Sequence, residues 1–376
     1  MNPELSCVNT MRIGMVSKFG APDGLCIRAN AVLTGLIKRN HEVHAFTQSK
    51  IVHGLPIERV HRYRAIQLNP HFSIDSVTAP RTIAKLCQEN KIEVLHIQMN
   101  SGSTEFLLPY FKKSLPPLVV TYHLAYAAGG SIYTTLFGIA WKASLFASRK
   151  YNQVILVDPS QEPYFLESGF SEDSVSVIRN GVDIDLFKPD STKMIDDGIV
   201  DFVYVGRLSY DKGVHLLLAA FQEYHAENPK TRLTLIGDGM LKHQINGCVD
   251  DGSLSWLGAI EHDDIPAVLQ RMDAFVIPQN IGGLGLSVLE AMGCGLPVIT
   301  TAIGETIKLL GKDEGILVEP DNVEAIVEAM RILAGDKKLR QRMGMRCRKK
   351  VEEKYSWQSQ IGQIEEVYRK AIERAR

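Results

Sequence analysis

Short apolar runs of strand length alternate along this chain with longer amphipathic stretches of helix length, in two consecutive series. The runs are rich in Val and Ile and lack polar alternation, which is typical of parallel strands covered by helices on both faces. The sequence therefore predicts two doubly wound α/β units. The predicted strands are Met11–Ser17, Glu42–Thr47, Glu93–Ile97, Leu118–Tyr122 and Gln153–Val157, then Asp201–Val205, Leu233–Ile236, Leu254–Trp256, Ala274–Ile277 and Pro297–Thr300. The helices predicted in the first series are Leu25–Arg39, Ala79–Glu89, Thr104–Lys113 and Ser131–Lys150.

The boundary between the two series is a polar segment. A chain of 376 residues is long enough for two globular domains. Residues 188–198 contain Pro189, show no apolar periodicity and are typical of a linker. We therefore predict domains at 1–190 and 191–355, followed by a final helix over 356–376.

Composition excludes several classes of protein. The chain has 42 Lys and Arg against 43 Asp and Glu, and 45% of its residues are hydrophobic. This balance excludes a disordered chain and a strongly basic nucleic-acid binder. Six widely spaced cysteines without His clustering indicate reduced thiols, and we expect a cytoplasmic protein without a metal site. The most apolar stretch, 132–147, is broken by Lys142 and is too short for a membrane-spanning helix.

Two cations follow the first strand of the second series. The strand over 201–205 ends at Gly206, and Arg207 and Lys212 come next, just before a helix. A loop at the carboxyl end of a parallel strand borders the ligand crevice of an α/β sheet, and both cations suit phosphate oxygens. The alternative is two ordinary surface cations on a loop.

The glycine-dense segment 282–285 feeds another helix in the second series. Its first turn holds Leu286 and Ser287, and Glu290 follows one turn later. Free N–H groups at a helix start suit an anionic ligand, and a carboxylate there can accept hydrogen bonds from ribose hydroxyls. The alternative for Glu290 is a solvated helical residue. Because neither a G-x-G-x-x-G nor a P-loop motif occurs, nicotinamide enzymes and P-loop NTPases lose support.

A histidine ends a strand of the first series. His123 directly follows the apolar run over 118–122. At that place it can hydrogen-bond a bound sugar or assist its chemistry, and the alternative is a structural histidine.

Taken in order, these segments resemble the retaining glycosyltransferases of family 4. The motifs that carry the resemblance are Asn180-Gly-Val-Asp183, Val205-Gly-Arg207, Lys212-Gly213, Ile236-Gly-Asp-Gly239, Trp256-Leu-Gly258, Gly285-Leu-Ser-Val-Leu-Glu290 and Gly315-Ile-Leu-Val318. The resemblance implies the GT-B fold, in which two Rossmann-like domains face each other across a cleft and the C-terminal helix returns to the first. It also implies an acceptor domain at 1–190, a donor domain at 191–355, and transfer from a nucleoside-diphosphate sugar with neither metal nor cofactor.

The same resemblance implies roles for individual residues. Arg207 and Lys212 correspond to the pair that neutralises the donor diphosphate, and His123 to the active-site histidine. Glu290 corresponds to the second Glu of the E-x7-E motif, which binds the donor ribose, and Ile260 to the site of base packing. The implied donor contacts are Gly24, Gly206, Gly237, Ile260, Gly285, Leu286, Ser287 and Glu290.

One departure from the family pattern keeps other functions open. The first Glu of E-x7-E is replaced by Gly282, which removes a charged acceptor from the sugar pocket. This replacement makes a nucleotide-sugar-binding protein with weakened catalysis one alternative. A GT-B sugar-nucleotide epimerase is the other, because it also binds a diphosphate between two Rossmann domains. The acceptor and the oligomeric state are not specified by the sequence.

A membrane contact is a further expectation from the first domain. The aromatic-rich stretch 131–150 carries Lys142, Arg149 and Lys150. It predicts either an interfacial helix on the inner face of a membrane or a helix packed on its own sheet.

Overall fold

A computed structural model describes most of the chain, and the chain divides into two compact units. The described residues are 10–20, 24–49, 52–67, 73–99, 103–123, 145–190, 198–245, 252–280 and 285–375. The first unit comprises Met1–Asn180 together with Trp357–Arg376, and the second comprises Gly181–Ser356.

The first unit contains a seven-stranded parallel sheet in the order β3-β2-β1-β6-β7-β8-β9, and β4 and β5 form a separate antiparallel pair. Its strands are β1 Arg12–Val16, β2 Glu42–Thr47, β3 Val60–Arg62, β4 Ala65–Gln67, β5 Ser73–Asp75, β6 Val94–Gln98, β7 Leu118–Tyr122, β8 Gln153–Leu156 and β9 Val175–Val177. Its helices before the crossover are α1 Gly24–Lys38, α2 Ala79–Glu89, α3 Thr104–Leu107 and α4 Glu162–Glu167, with 3-10 segments at Ile57–Arg59, Leu108–Ser114, Pro159–Gln161 and Glu172–Ser174.

The second unit contains a six-stranded parallel sheet in the order β12-β11-β10-β13-β14-β15. Its strands are β10 Val200–Val205, β11 Thr231–Ile236, β12 Leu254–Trp256, β13 Ala274–Ile277, β14 Val298–Thr301 and β15 Gly315–Val318. Its helices are α5 Val214–Glu227, α6 Lys242–Ile245, α7 Ile265–Leu269, α8 Leu286–Gly293, α9 Glu305–Leu309, α10 Val323–Gly335 and α11 Lys337–Lys354, with 3-10 segments at Tyr210–Lys212 and His262–Asp264. The final helix, α12 Trp357–Ala375, belongs to the first unit.

Burial of both faces explains why the strands of the first unit carry no polar alternation. Met15 and Val119 belong to a core cluster that also contains residues of α1 and α12. The next residues along the same strands, Val16 and Val120, belong to a second cluster with Ile83 of α2. Because neighbouring side chains of a strand point to opposite faces, β1 and β7 are each buried on both sides. The predicted α/β class with two doubly wound units is confirmed.

Packing of α12 on the first unit is also confirmed. The helix buries Ile364 and Tyr368 in the cluster beneath α1. Its buried Glu365 accepts from Arg39 at 2.5 and 3.0 Å and lies 2.8 Å from Nε2 of His41. These bonds satisfy a carboxylate that would be costly to bury alone.

The unit boundary lies at Asn180–Gly181, before the predicted linker at 188–198. Val182 forms a parallel bridge with Ser356, and Phe187 is buried in the core of the second unit. Residues 181–187 therefore belong to the second unit, because this short stretch contributes apolar side chains to its core.

Two local features differ from the predicted elements. The helix predicted over 104–113 ends at Leu107 and continues as a 3-10 segment, in which Pro109 lacks the N–H that an α-helix would use. The short edge strands β3, β9 and β15 are not among the predicted strands. Within the part of the chain that the structure describes, no helix combines the length and apolar character needed to cross a bilayer. Of the aromatic-rich stretch, 131–144 lie outside the described residues.

Candidate active site

The carboxyl edge of the second sheet collects the loops that carry the predicted donor residues. All pairings in this sheet are parallel, so every strand ends at the same edge. The loop after β10 carries Arg207 and Lys212, the turn after β11 carries Gly237, and the loop after β12 carries Ile260. The loop after β13 leads to Gly285 and α8.

Two glycines let the backbones of these loops approach each other closely. Gly213 has φ +69°, and a Cβ there would lie 1.8 Å from the carbonyl oxygen of Pro278. Gly237 has φ +133°, and a Cβ there would lie 1.9 Å from the carbonyl oxygen of Gly206. Both positions require glycine for conformation and for space. The loops after β10, β11 and β13 are thus packed backbone against backbone.

Lys212 is held by a neutral amide from the neighbouring loop. Its Nζ donates to Oε1 of Gln279 at 3.1 Å, and Gln279 is fully buried after β13. Burial lowers the pKa of Lys212, Asp211 opposes that shift, and the charge of Arg207 adds to it. The ammonium is therefore half-buried next to an uncharged acceptor, where a ligand anion would be favourable.

Arg207 is largely exposed and pairs with a carboxylate of its own loop. Its side chain is 61% exposed, and Nη2 donates to Oδ2 of Asp211 at 2.7 Å. The hydroxyl of Tyr204 donates to the carbonyl oxygen of Arg207 at 2.7 Å and holds the backbone of the loop. The two cations thus lie on one loop, but a carboxylate already pairs with Arg207.

The start of α8 presents backbone donors. Gly285 precedes the helix with extended backbone at φ −65° and ψ 139°, and Leu286 and Ser287 are its first two residues. The first N–H groups of a helix have no intrahelical acceptor and carry the positive end of the helix dipole. Glu290 lies three residues after Ser287, on the same helix face. The start of α8 thus has backbone N–H groups without intrahelical acceptors, which suit an anion, and a carboxylate within one turn.

The carboxylate of Glu290 is paired with a histidine that sequence reasoning missed. The Glu290 side chain is 6% exposed, and its Oε1 lies 2.7 Å from Nε2 of His262. Burial lowers the pKa of His262, but the hydrogen bond to Glu290 and the charges of Glu290, Asp263 and Asp183 outweigh burial and raise it overall. Ile260, two residues earlier, packs partly buried against the core of the unit.

The predicted residues of the first unit lie at its own loops. Gly24 is exposed and begins α1. His123 follows β7, is half-buried, and its Nε2 lies 2.6 Å from Oε1 of Gln98. Gln98 ends β6, the strand beside β7.

A buried histidine continues this hydrogen-bond network into the core. His96 lies 2.7 Å from Oγ1 of Thr121 through Nε2 and 2.7 Å from the hydroxyl of Tyr368 through Nδ1. Nε2 of Gln98 also lies 3.3 Å from Nε2 of His96. Burial, with the charge of Arg28, lowers the pKa of His96 to about 3. His96 is therefore neutral at ordinary pH.

The network also determines the protonation of His123. Burial lowers the pKa of His123 well below its usual value, and the charge of Arg28 adds to the effect. Since Gln98 accepts through its carbonyl oxygen, the neutral ring of His123 carries its proton on Nε2. Nδ1 is then an acceptor. This arrangement suits a hydrogen bond from a sugar hydroxyl better than proton transfer.

The site residues that were not predicted from the sequence are hydrogen-bond partners of predicted site residues. Gln279, Asp211, His262 and Gln98 each contact a predicted residue through the fold. The polar Gln98 at the end of a buried strand was a usable signal. Gly282 lies outside the described residues. Among the residues that are described, no three His, Cys, Asp or Glu side chains are grouped so as to hold a metal ion.

Each of the two units matches a known protein family. Residues 23–186 match the family Glycosyltransferase Family 4, and residues 191–350 match Glycosyl transferases group 1. Together with two parallel-sheet Rossmann-like units, these matches show that the chain belongs to the group 1, family 4-like glycosyltransferases and has the GT-B fold.

The individual proteins that resemble this chain share 30% or less of their aligned residues with it. Glycogen synthase of Mycobacterium tuberculosis is 30% identical over 202 residues, which are 52% of this chain and 48% of that protein, so the match spans about half of its length. A phosphatidylinositol N-acetylglucosaminyltransferase component from Arabidopsis thaliana is 29% identical over 96% of this chain and 82% of that one. The solved structure of Anabaena HepE in complex with UDP and glucose superposes with a TM-score of 0.75 at 17% identity, covering 95% of this chain and 98% of that one.

Proposed function

We propose that this chain transfers a sugar from a nucleoside-diphosphate sugar to an acceptor hydroxyl, with retention of configuration and without a metal ion. The observation that carries the proposal is the half-buried ammonium of Lys212, which is held by the neutral amide of Gln279 at the carboxyl edge of the second sheet. Family membership gives the reaction class, and this site supports the type of donor.

Lys212 has the properties needed to meet a leaving diphosphate. Burial disfavours its charge and lowers its pKa, Asp211 offsets only part of that effect, and the neutral amide of Gln279 adds no countercharge. A phosphate oxygen beside Nζ supplies that countercharge, and the negative charge that develops as the sugar leaves is stabilised most in a desolvated site. Lys212 therefore carries most of the leaving-group stabilisation.

Arg207 acts only after an exchange of partners. Its guanidinium is paired with Asp211, so contact with phosphate replaces or shares that ion pair. Since Arg207 is largely exposed, the exchange costs little. The free N–H groups of Leu286 and Ser287 add donors for the same diphosphate.

The nucleoside binds through Glu290 and Ile260. Glu290 accepts the ribose hydroxyls, and Ile260 packs on the base. Anabaena HepE was solved with UDP and glucose, which makes UDP-sugars the first donors to examine.

The reaction is a front-side substitution at the anomeric carbon. The bond from that carbon to the phosphate oxygen breaks, the bond to the acceptor oxygen forms on the same face, and the leaving phosphate takes the acceptor's proton. No side chain acts as a nucleophile. Nδ1 of His123 accepts from a hydroxyl of the transferred sugar, in agreement with its lowered pKa.

The choice of the first acceptor to test comes from the name of a relative. The Arabidopsis relative is named for phosphatidylinositol N-acetylglucosaminyltransferase, so phosphatidylinositol is the first acceptor to offer this chain. Replacement of the motif Glu by Gly282 leaves the sugar pocket with one carboxylate fewer, which favours a donor sugar that needs no charged acceptor there.

Donor binding and transfer are tested in one series. UDP-, GDP-, ADP- and dTDP-sugars are screened for thermal stabilisation, because a bound ligand raises apparent stability. The best donor is then incubated with acceptor extracts and phosphatidylinositol, and the anomeric configuration of the product is assigned by NMR. Transfer with retention and without added metal supports the proposal.

The variant Lys212→Met provides the mechanistic test. Turnover should fall by about 10²–10³-fold, the loss expected for one group that stabilises developing charge. Lys349→Met, which removes an exposed lysine of α11, is the matched control and should turn over like the wild type. Undiminished turnover of Lys212→Met contradicts the proposal. Release of an altered sugar nucleotide without acceptor indicates an epimerase, and binding without any product indicates a binding protein.

A further inference from the structure

His262 and Glu290 come from different parts of the second unit and meet at a short hydrogen bond. His262 begins the 3-10 segment after β12, whereas Glu290 lies in α8, 28 residues later. The Nε2 to Oε1 distance is 2.7 Å. The histidine side chain is 30% exposed and the glutamate side chain 6%. His262 is thus partly exposed to solvent, whereas the carboxylate that it contacts is nearly buried.

The side chain of Phe187 supports the imidazole of His262. The ring of Phe187 lies 5.3 Å from the ring of His262, centroid to centroid, and Phe187 is buried in the core. The backbone carbonyl of Phe187 accepts from Nη1 of Arg348, which also donates to the carbonyl of Gly293 at the end of α8. The segment that supports the imidazole and the helix that carries Glu290 are thereby joined through Arg348.

From this geometry we infer that His262 is a positioning residue that holds the carboxylate of Glu290 in the orientation that binds the donor ribose. The inference rests on the function proposed above for Glu290. A carboxylate offers about four acceptor positions, so a bond from Nε2 leaves capacity for two vicinal hydroxyls. Fixing a long side chain before binding removes part of the entropy cost that binding would otherwise incur.

The surroundings of the imidazole favour its role as a donor. The charges of Glu290, Asp263 and Asp183 face the ring and raise its pKa overall against the effect of burial. The neutral and the protonated ring can both donate through Nε2. The bond to Glu290 therefore persists on either side of the His262 titration.

The test measures how much the ribose hydroxyls contribute to affinity. UDP, GDP and ADP are each compared by calorimetry with their 2′,3′-dideoxy analogues, for the wild type and for His262→Phe. Phenylalanine keeps the contact with Phe187 but cannot donate. We expect the preference for the ribose form to fall by about tenfold in His262→Phe, the effect of losing one hydrogen bond to a charged group. Binding of the dideoxy analogue should stay unchanged.

Further variants separate positioning from a purely structural role. His262→Gln can donate from a similar position and should restore most of the ribose preference. His53→Phe, at an exposed histidine of the first unit, should behave like the wild type. His262→Ala serves as the second donor-removing variant if His262→Phe does not fold.

Each outcome has one meaning. A full ribose preference in the folded donor-removing variant overturns the inference, and so does an equal loss for both forms of the nucleotide, which is the pattern of a structural role. A wild type that binds nucleotides without preferring ribose refutes the role of Glu290 itself. A wild type that binds no nucleoside diphosphate refutes the proposed function and this inference together.

Discussion

The buried His96 should make the stability of the first unit depend on pH in a calculable way. In the native protein the pKa of His96 is lowered from 6.5 to about 3, chiefly by burial. As pH falls below 6.5, the unfolded chain takes up a proton at this residue while the native protein does not. The contribution to the free energy of unfolding is therefore complete above 6.5 and is lost progressively as pH falls toward 3.

The size of the effect follows from the same values. Each pH unit in this window costs about 1.4 kcal/mol, so lowering the pH from about 7.5 to about 5 should cost about 2 kcal/mol through His96. His96→Gln removes the titrating group and keeps a polar side chain toward Thr121 and Tyr368.

Urea unfolding of both proteins at the two pH values measures this effect, followed by fluorescence and circular dichroism. The variant should be less stable at the higher pH because of imperfect packing, and the difference from the wild type should shrink by about 2 kcal/mol at the lower pH. His53→Gln, at an exposed position, should show no such change. If the wild type and His96→Gln lose stability in parallel, the reasoning about His96 is refuted.

Two further substitutions test the packing of each unit. Gly213→Ala places a Cβ 1.8 Å from the carbonyl oxygen of Pro278 at φ +69° and should destabilise the second unit by more than about 3 kcal/mol in urea unfolding. Its control, Gly335→Ala at the end of α10, meets no atom within 4 Å and should be neutral or stabilising, so equal effects of the two would contradict the argument. Glu365→Ala leaves Arg39 without its buried partner and should lower unfolding free energy by about 2–3 kcal/mol, whereas Glu366→Ala, at a 56% exposed residue, should change it by less than about 0.5 kcal/mol. A calorimetric melting temperature that is the same for both glutamate variants would refute the second argument.

Much of the sheet architecture could be predicted because buried parallel strands have a distinct pattern. The strands at 42–47, 118–122, 254–256 and 274–277 have the predicted bounds, since each is a short, mainly apolar or β-branched and aromatic stretch between turn residues. The strands β3 and β9 escaped prediction although β12 is equally short, because neighbours in the fold largely decide the conformation of such a stretch. The unit boundary escaped for a similar reason, because Phe187 stands beside polar residues yet packs into the second core.

The candidate site could also be predicted only in part. Lys212, Glu290 and His123 could be proposed because a loop, a helix start and a strand end are visible in the sequence. Their partners Gln279 and His262 could not, because they come from other loops and are brought near only by the order of strands in the sheet. The pairing of Arg207 with Asp211 shows the same limit, since a cation on a phosphate-suited loop gives no sign of whether a carboxylate already occupies it.

The central claim is that Lys212 meets the diphosphate of the donor, and calorimetry on the matching nucleoside diphosphate and monophosphate tests it most directly. The wild type should bind UDP, or whichever diphosphate stabilises it best, more tightly than the monophosphate. Lys212→Met should lose about tenfold or more of that preference, the value of a charge-assisted contact, while its affinity for the monophosphate changes little. A Lys212→Met protein that is folded and keeps the full preference for the diphosphate would contradict the account.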